Sequence, residues 1–262
     1  MAVDSIQVLA GAVTGILVGL TGVGGGALMT PLLLLFFGVA PLAAVGTDLW
    51  FAAITKLVGS GVHHSRGLVD WQVVRRLWSG SLSATAATLL WMRWKPVDRS
   101  SVDLLVTLIA LALLCTALGI VFQKSLHRIG TRWRTTRRDS FKAMQGPLTV
   151  AAGVLLGFLV TLTSVGAGAL GTVLLTYLYP LRLTPQRLIA TDIVHAIPLA
   201  VLAGIGHLFI GDVRFDLLGN LLLGSIPGVV VGASFSARLP GAWLRLFLAA
   251  ALIGVGVKLL WH

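Results

Sequence analysis

Residues 5–37 form one apolar run, and the octet "TGVGGGAL" at Thr21–Leu28 interrupts it near its middle. A second overlong run, 145–179, is interrupted by "TSVGAGAL" at Thr163–Leu170, which matches the first octet at six of eight positions. A bilayer core takes about 20 apolar residues per helix, so neither run is one simple span. Irregular backbone inside a bilayer leaves N–H and C=O groups without partners. It persists only where it is buried in protein or lines a polar cavity. A chain that breaks two membrane helices with nearly the same residues is constrained to protect both breaks.

The other apolar runs fall at about 43–62, 72–92, 101–122, 186–209, 214–236 and 241–261, giving four runs to each half. Of the 262 residues, 56% are hydrophobic and 11% charged, with mean hydropathy +0.94. A soluble domain averages about 25% charged residues. The composition is that of an all-α polytopic membrane protein. The net charge of +11 does not argue for nucleic acid. Much of it lies in "KSLHRIGTRWRTTRRDSFK", from Lys124 to Lys142. That stretch reads as a basic cytoplasmic loop over 123–143, which can also touch anionic lipid headgroups. The single cysteine, Cys115, excludes an intrachain disulfide and a four-cysteine zinc site, and packing is its expected role. The N-terminus has no basic region ahead of its apolar stretch and no cleavage pattern, so it reads as part of the fold.

The two halves, 1–122 and 144–262, align. After the octets, one constant shift pairs Pro41 with Pro185, Thr47-Asp48 with Thr191-Asp192, His63 with His207, and Gly80-Ser81 with Gly224-Ser225. The chain therefore reads as an internal duplication, as in many secondary transporters. If each broken run is a hairpin that enters and leaves on one face, each half crosses three times and the copies are inverted. Four full crossings per half would make them parallel. With Lys124–Lys142 inside, the inverted arrangement keeps more Lys and Arg inside and is favoured.

The helix that follows each break begins with unpaired N–H groups and the positive end of a dipole, which favours an anion. In the inverted arrangement two such termini point at one midplane site. The candidate binding residues are Thr21, Gly22, Val23, Gly24, Gly25 and Gly26 in the first copy, and Thr163, Ser164, Val165, Gly166, Ala167 and Gly168 in the second. Close helix packing is the competing reading of each glycine string, and it leaves the duplication of the breaks unexplained.

The strings "GILVGLTGVGGGALMTPLLL", "GTDLWFAAITKLVGSGVHHSRGLVDW" and "GSLSATAATLL", with their echoes "GFLVTLTSVGAGALGTVLL", "ATDIVHAIPLAVLAGIGHLFIGDV" and "GSIPGVVVGA", resemble the sulfite exporter TauE/SafE family, also called the 4-toluene sulfonate uptake permease family. The resemblance covers the whole chain except the basic central segment. It implies a transporter of the bacterial inner membrane for sulfite, sulfoacetate, taurine-related sulfonates or other small organic anions. Ser164 and Ala167 replace Gly22 and Gly25 in the second copy, so the two half-sites are not equivalent.

Charged groups inside spans are rare and are usually functional or paired. Asp48 and Asp192 are expected to orient the hairpins by accepting backbone hydrogen bonds, with Thr47 and Thr191 beside them, or to carry a coupled proton. Lys56 has Ala200 as its repeat partner. It is expected to attract the anion, to neutralise Asp48, or to snorkel. His195 stands three residues after Asp192, where an Asp–His pair is geometrically open. His63 and His207 can relay protons or serve as hydrogen-bonded interfacial histidines. His63-His64 does not make a metal site, because adjacent helical residues point roughly 100° apart and no third ligand is evident. Gly80, Ser81, Gly224 and Ser225 are expected to pack against the hairpins or to line the pathway. Trp71, Trp91, Trp94, Trp243 and Trp261 suit interface anchors.

The reading is a secondary transporter that binds an anion between two hairpin tips, without cofactor or metal. Its partners are the small anionic substrate and membrane lipid, with no nucleic acid, and a homodimer is left open. The rivals are an anion channel, an intramembrane enzyme using His63, His195 or His207, and a purely structural membrane protein.

Overall fold

A computed structural model describes residues 3–21, 26–62, 67–94, 99–136, 138–210, 213–235 and 241–261. The described residues form helices α1 (Ser5–Thr21), α2 (Gly26–Leu35), α3 (Pro41–Val62), α4 (Trp71–Trp94), α5 (Arg99–Val121), α6 (Gln123–Thr136), α7 (Arg138–Thr163), α8 (Ala169–Leu178), α9 (Pro185–Ile210), α10 (Phe215–Phe235) and α11 (Gly241–Leu260), with no strand among them. Each overlong run is thus two helices, α1–α2 and α7–α8. The expected loop over 123–143 is instead α6 followed by the start of α7.

Local chemistry sets several boundaries. Asp4 caps α1, its carboxylate accepting from the Ile6 N–H at 2.9 Å. Asp70 caps α4 through the Val73 N–H at 3.3 Å. Proline opens α3 and α9, where its missing N–H costs nothing.

Small residues decide which helices touch. A Cβ on Gly11, Gly15 or Gly19 of α1 would run into the backbone of Leu221, Ser225 or Val229 on α10. Reciprocally, Gly224, Gly228 and Gly232 lie on the backbone of Val8, Ala12 and Ile16. Residue numbers rise together along this seam, so α1 and α10 run parallel. The same seam joins α4 to α7, where Gly80 meets Val150 and Gly157 meets Ser81. Both helix pairs are in backbone contact, the geometry that small-residue stripes permit in membranes.

The directions show where the chain doubles back. Helix α3 runs with α10, since Thr47 meets Arg214 and Gly59 meets Val229. It therefore runs with α1 as well, and α2 between them must turn back. Helix α9 runs with α4, as Thr191 meets Asp70 and Gly206 meets Leu89. The return of α8 is direct: Tyr179 and Leu178 at its end bond Thr149 and Gln145 near the start of α7. Helices α3 and α9 cross in opposite senses, with Trp50 against Gly204 and Lys56 facing Asp192.

Among the described residues, five helices have the length and composition to cross a membrane: α3, α5, α7, α9 and α10. Helix α4 runs 24 residues along α7, and α11 runs 20 along α5. Leu104, Leu111 and Leu118 form an exposed apolar stripe on α5, while Ile109, Leu113 and Ala117 on the same helix are buried. An outer surface this apolar suits lipid rather than water. The largest buried cluster joins α3, α5, α9 and α11 to Val165, Ala167 and Ala169 of the second break, so that break lies inside the protein.

Candidate functional site

The first break, Gly22–Gly25, lies outside the described residues, as does His63. Gly26 opens α2. The second break is described throughout, and residues 161–173 are all buried. Helix α7 ends at Thr163. Ser164 then takes the left-handed conformation (φ 57°), followed by Gly166 (φ 116°) and Gly168 (φ 141°). Glycine adopts such values freely, while a buried serine there is held by its surroundings. The Thr163 hydroxyl donates to Leu159 O at 2.7 Å and accepts from the Val165 N–H at 3.1 Å. Thr21 likewise donates to Leu17 O at 2.7 Å. In this structure both hydroxyls bond carbonyls one turn back in their own helices.

The N–H groups of Gly171 and Thr172 bond Gly166 O and Gly168 O, at 3.1 and 2.9 Å. The N–H groups of Ala169 and Leu170, in the first turn of α8, have no acceptor among the described residues.

Lys56 reaches this tip from α3. Its ammonium donates to Ala167 O at 2.6 Å, and only 3% of the residue is exposed. Its charge acts on both Asp192 and His195. The alternative of pairing with Asp48 is corrected: Lys56 belongs to the second hairpin, in the opposite half of the chain.

The two repeated aspartates differ. Asp48 accepts from the Thr30 N–H at 3.1 Å and from the Thr30 hydroxyl, which ties it to α2. The Ser164 hydroxyl of the second hairpin also acts on the Asp48 carboxylate, although neither it nor Asp48 Oδ1 meets hydrogen-bond geometry among the described residues. Asp192 is 1% exposed, yet neither of its oxygens has a hydrogen-bond partner among the described residues. It lies so close to Gly171 of α8 that any side chain there would collide with Oδ1. The expected backbone bonds to Asp192 are absent among the described residues.

The other candidates make contacts away from the hairpin tips. His195 Nε2 bonds the Ser81 hydroxyl at 2.9 Å, so it turns to α4 and forms no hydrogen bond with Asp192. His207 Nε2 lies 3.0 Å from Thr161 O. Thr47 accepts the Arg214 N–H and Thr191 accepts the Asp70 N–H, each at 3.0 Å. Asp70 and Arg214 are repeat equivalents, so both threonines fasten the entry of a helix in the opposite half and neither serves its aspartate. Gly80 and Gly224 are packing positions. Ser225 is fully buried with its hydroxyl unpaired.

Two features escaped the sequence reading. Thr30 lies two residues beyond the octet and pairs with Thr172, so extending the alignment would have found it. Asp70 is 4% exposed and takes a bidentate pair from Arg182, at 2.6 and 2.8 Å. Its repeat partner is Arg214, so repeat matching could not flag it. Among the described residues, no three His, Cys, Asp or Glu side chains gather as a metal site requires.

Two buried carboxylates, a buried lysine and a broken helix end at one level suit the handling of a small charged solute rather than bond chemistry. The profile of the Sulfite exporter TauE/SafE family matches residues 7–259. The chain belongs to that family. It is 36% identical over 256 residues to the "probable membrane transporter protein YjnA" of Bacillus subtilis (strain 168), covering 97% of this chain and 98% of the relative. It is 28% identical over 243 residues to the "probable membrane transporter protein YdhB" of the same organism, covering 92% and 94%. No solved structure matches. As a TauE/SafE protein the chain is a multi-pass membrane transporter, not an enzyme.

Proposed function

We propose that the protein is a secondary transporter of a small sulfur-containing anion, such as sulfite or sulfoacetate, in the bacterial inner membrane. The observation that carries this reading is Lys56, a buried cation seated on the tip of the second hairpin beside two N–H groups that have no acceptor among the described residues. An anion between the hairpin tips would meet that ammonium and the start of α8, which replace its water shell. The two halves act as inverted copies. Support comes from α3 and α9, repeat equivalents that cross in opposite senses, as a two-fold axis in the membrane plane requires. The closed packing around residues 161–173 favours a carrier over an open pore.

The test uses purified protein, thermal shift, and counterflow in liposomes with sulfite, sulfoacetate, taurine, thiosulfate and chloride. A sulfur oxyanion is expected to raise the unfolding temperature most and to exchange across the bilayer. Lys56→Gln should lose both effects. Undiminished binding in that variant overturns the site, and chemical turnover of the anion overturns the transporter reading.

A further inference from the structure

We propose that the cleft between α6, the start of α7 and the connection after α8 binds a phosphate-bearing anion. The cleft measures about 470 Å³ and draws Arg134 from α6, Lys142 from α7 and Arg182 from the connection, with no acid among its lining residues. Three cations from three separate stretches of chain converge on one concave space, on the side of the molecule that carries the basic segment.

The cleft is built rather than incidental. Its floor includes Tyr179, which is 1% exposed, with its hydroxyl 2.8 Å from that of Thr149 and 3.3 Å from Arg76 Nη1. Gln145 is also buried, its amide bonded to Leu178 O. Arg182 is held from behind: Nε and Nη2 bond Asp70, and the guanidinium carbon stands 5.8 Å from the Tyr179 ring centre. Its side chain remains 42% exposed, Nη2 also bonds Gln72, and Nη1 makes no hydrogen bond among the described residues. A guanidinium fixed in this way meets a ligand with little further loss of freedom. The wall is fixed too, because Gly130 of α6 lies against the Tyr177 backbone at the end of α8.

A phosphate suits this site because it accepts from several directions at once. At a membrane surface it has two sources, an anionic phospholipid headgroup or free phosphate, and basic clefts beside membrane helices attract the former. A second basic cleft, with Lys124, Arg128 and Arg245, is also walled by Ile120, Val121 and Leu246 and serves as a control. The proposal does not depend on the identity of the transported anion.

The experiment titrates purified protein in detergent with phosphatidylglycerol, phosphatidylcholine and inorganic phosphate, read by native mass spectrometry and thermal shift. Phosphatidylglycerol is expected to bind and stabilise where phosphatidylcholine does not. Stabilisation by inorganic phosphate at equal concentration assigns the free anion as the source, and stabilisation by the lipid alone assigns the headgroup. Arg134→Gln with Lys142→Gln should weaken binding about tenfold or more. Lys124→Gln with Arg128→Gln should leave it within about twofold. Arg134→Lys with Lys142→Arg, which keeps the charge, should retain most of the binding and controls for folding. Equal binding of both lipids, or parental affinity in the Arg134→Gln, Lys142→Gln variant, overturns the proposal.

Discussion

Asp48 and Asp192 hold the same position in the two copies, yet they do different things. Asp48 is tied to Thr30 by two bonds and pins the returning arm of its own hairpin. Asp192 is equally buried, bonds nothing among the described residues, and faces a lysine that has no counterpart in the other copy. One residue underlies part of the difference. Met29 stands in the first copy where Gly171 stands in the second, and the bare glycine lets a carboxylate come against the first turn of α8. Two matching stretches of sequence each give a returning helix, and one aspartate is bonded to its helix while the other has no hydrogen-bond partner among the described residues.

The largest test removes the lysine. Lys56→Met leaves Asp192 buried without its counter-charge and is expected to cost about 3–5 kcal/mol in unfolding free energy, with loss of anion counterflow. Gly171→Met copies the first half into the second. It should cost about 1–3 kcal/mol through overpacking against Asp192 and cut transport strongly. The aspartates are then compared directly. Asp48→Asn should lower stability by about 1–3 kcal/mol while anion binding persists. Asp192→Asn leaves Lys56 buried without its counter-charge and should cost about as much as Lys56→Met, about 3–5 kcal/mol, yet tighten anion binding, because Lys56 no longer shares its charge. Equal effects of these two substitutions in binding and melting would erase the distinction between the two aspartates. The smallest effect is expected from Thr30→Val, about 1 kcal/mol in stability for one lost hydroxyl bond, with transport rates near those of the parent.

Much of the architecture was legible in the residues. The apolar runs match the helices, and the glycine octets mark where the chain turns back, because hydropathy and glycine content act locally. The division of labour among the polar residues was not legible. Thr47 and Thr191 looked like companions of their aspartates, but their hydroxyls hold N–H groups at the start of α10 and α4. His195 is spaced to meet Asp192 and turns to Ser81 instead. The basic segment, expected as a loop, is helical because seating Gly130 on Tyr177 gives α6 a surface to pack against.

The sequence by itself determined that this chain is an all-helical membrane protein whose two overlong apolar runs are each divided, since a bilayer core takes only about 20 apolar residues per helix. Only the tertiary structure decided which charge meets which break. Lys56 lies over a hundred positions from Ala167 along the chain. It reaches that carbonyl because small-residue seams cross-pack the two halves, and no local pattern encodes a partner that distant.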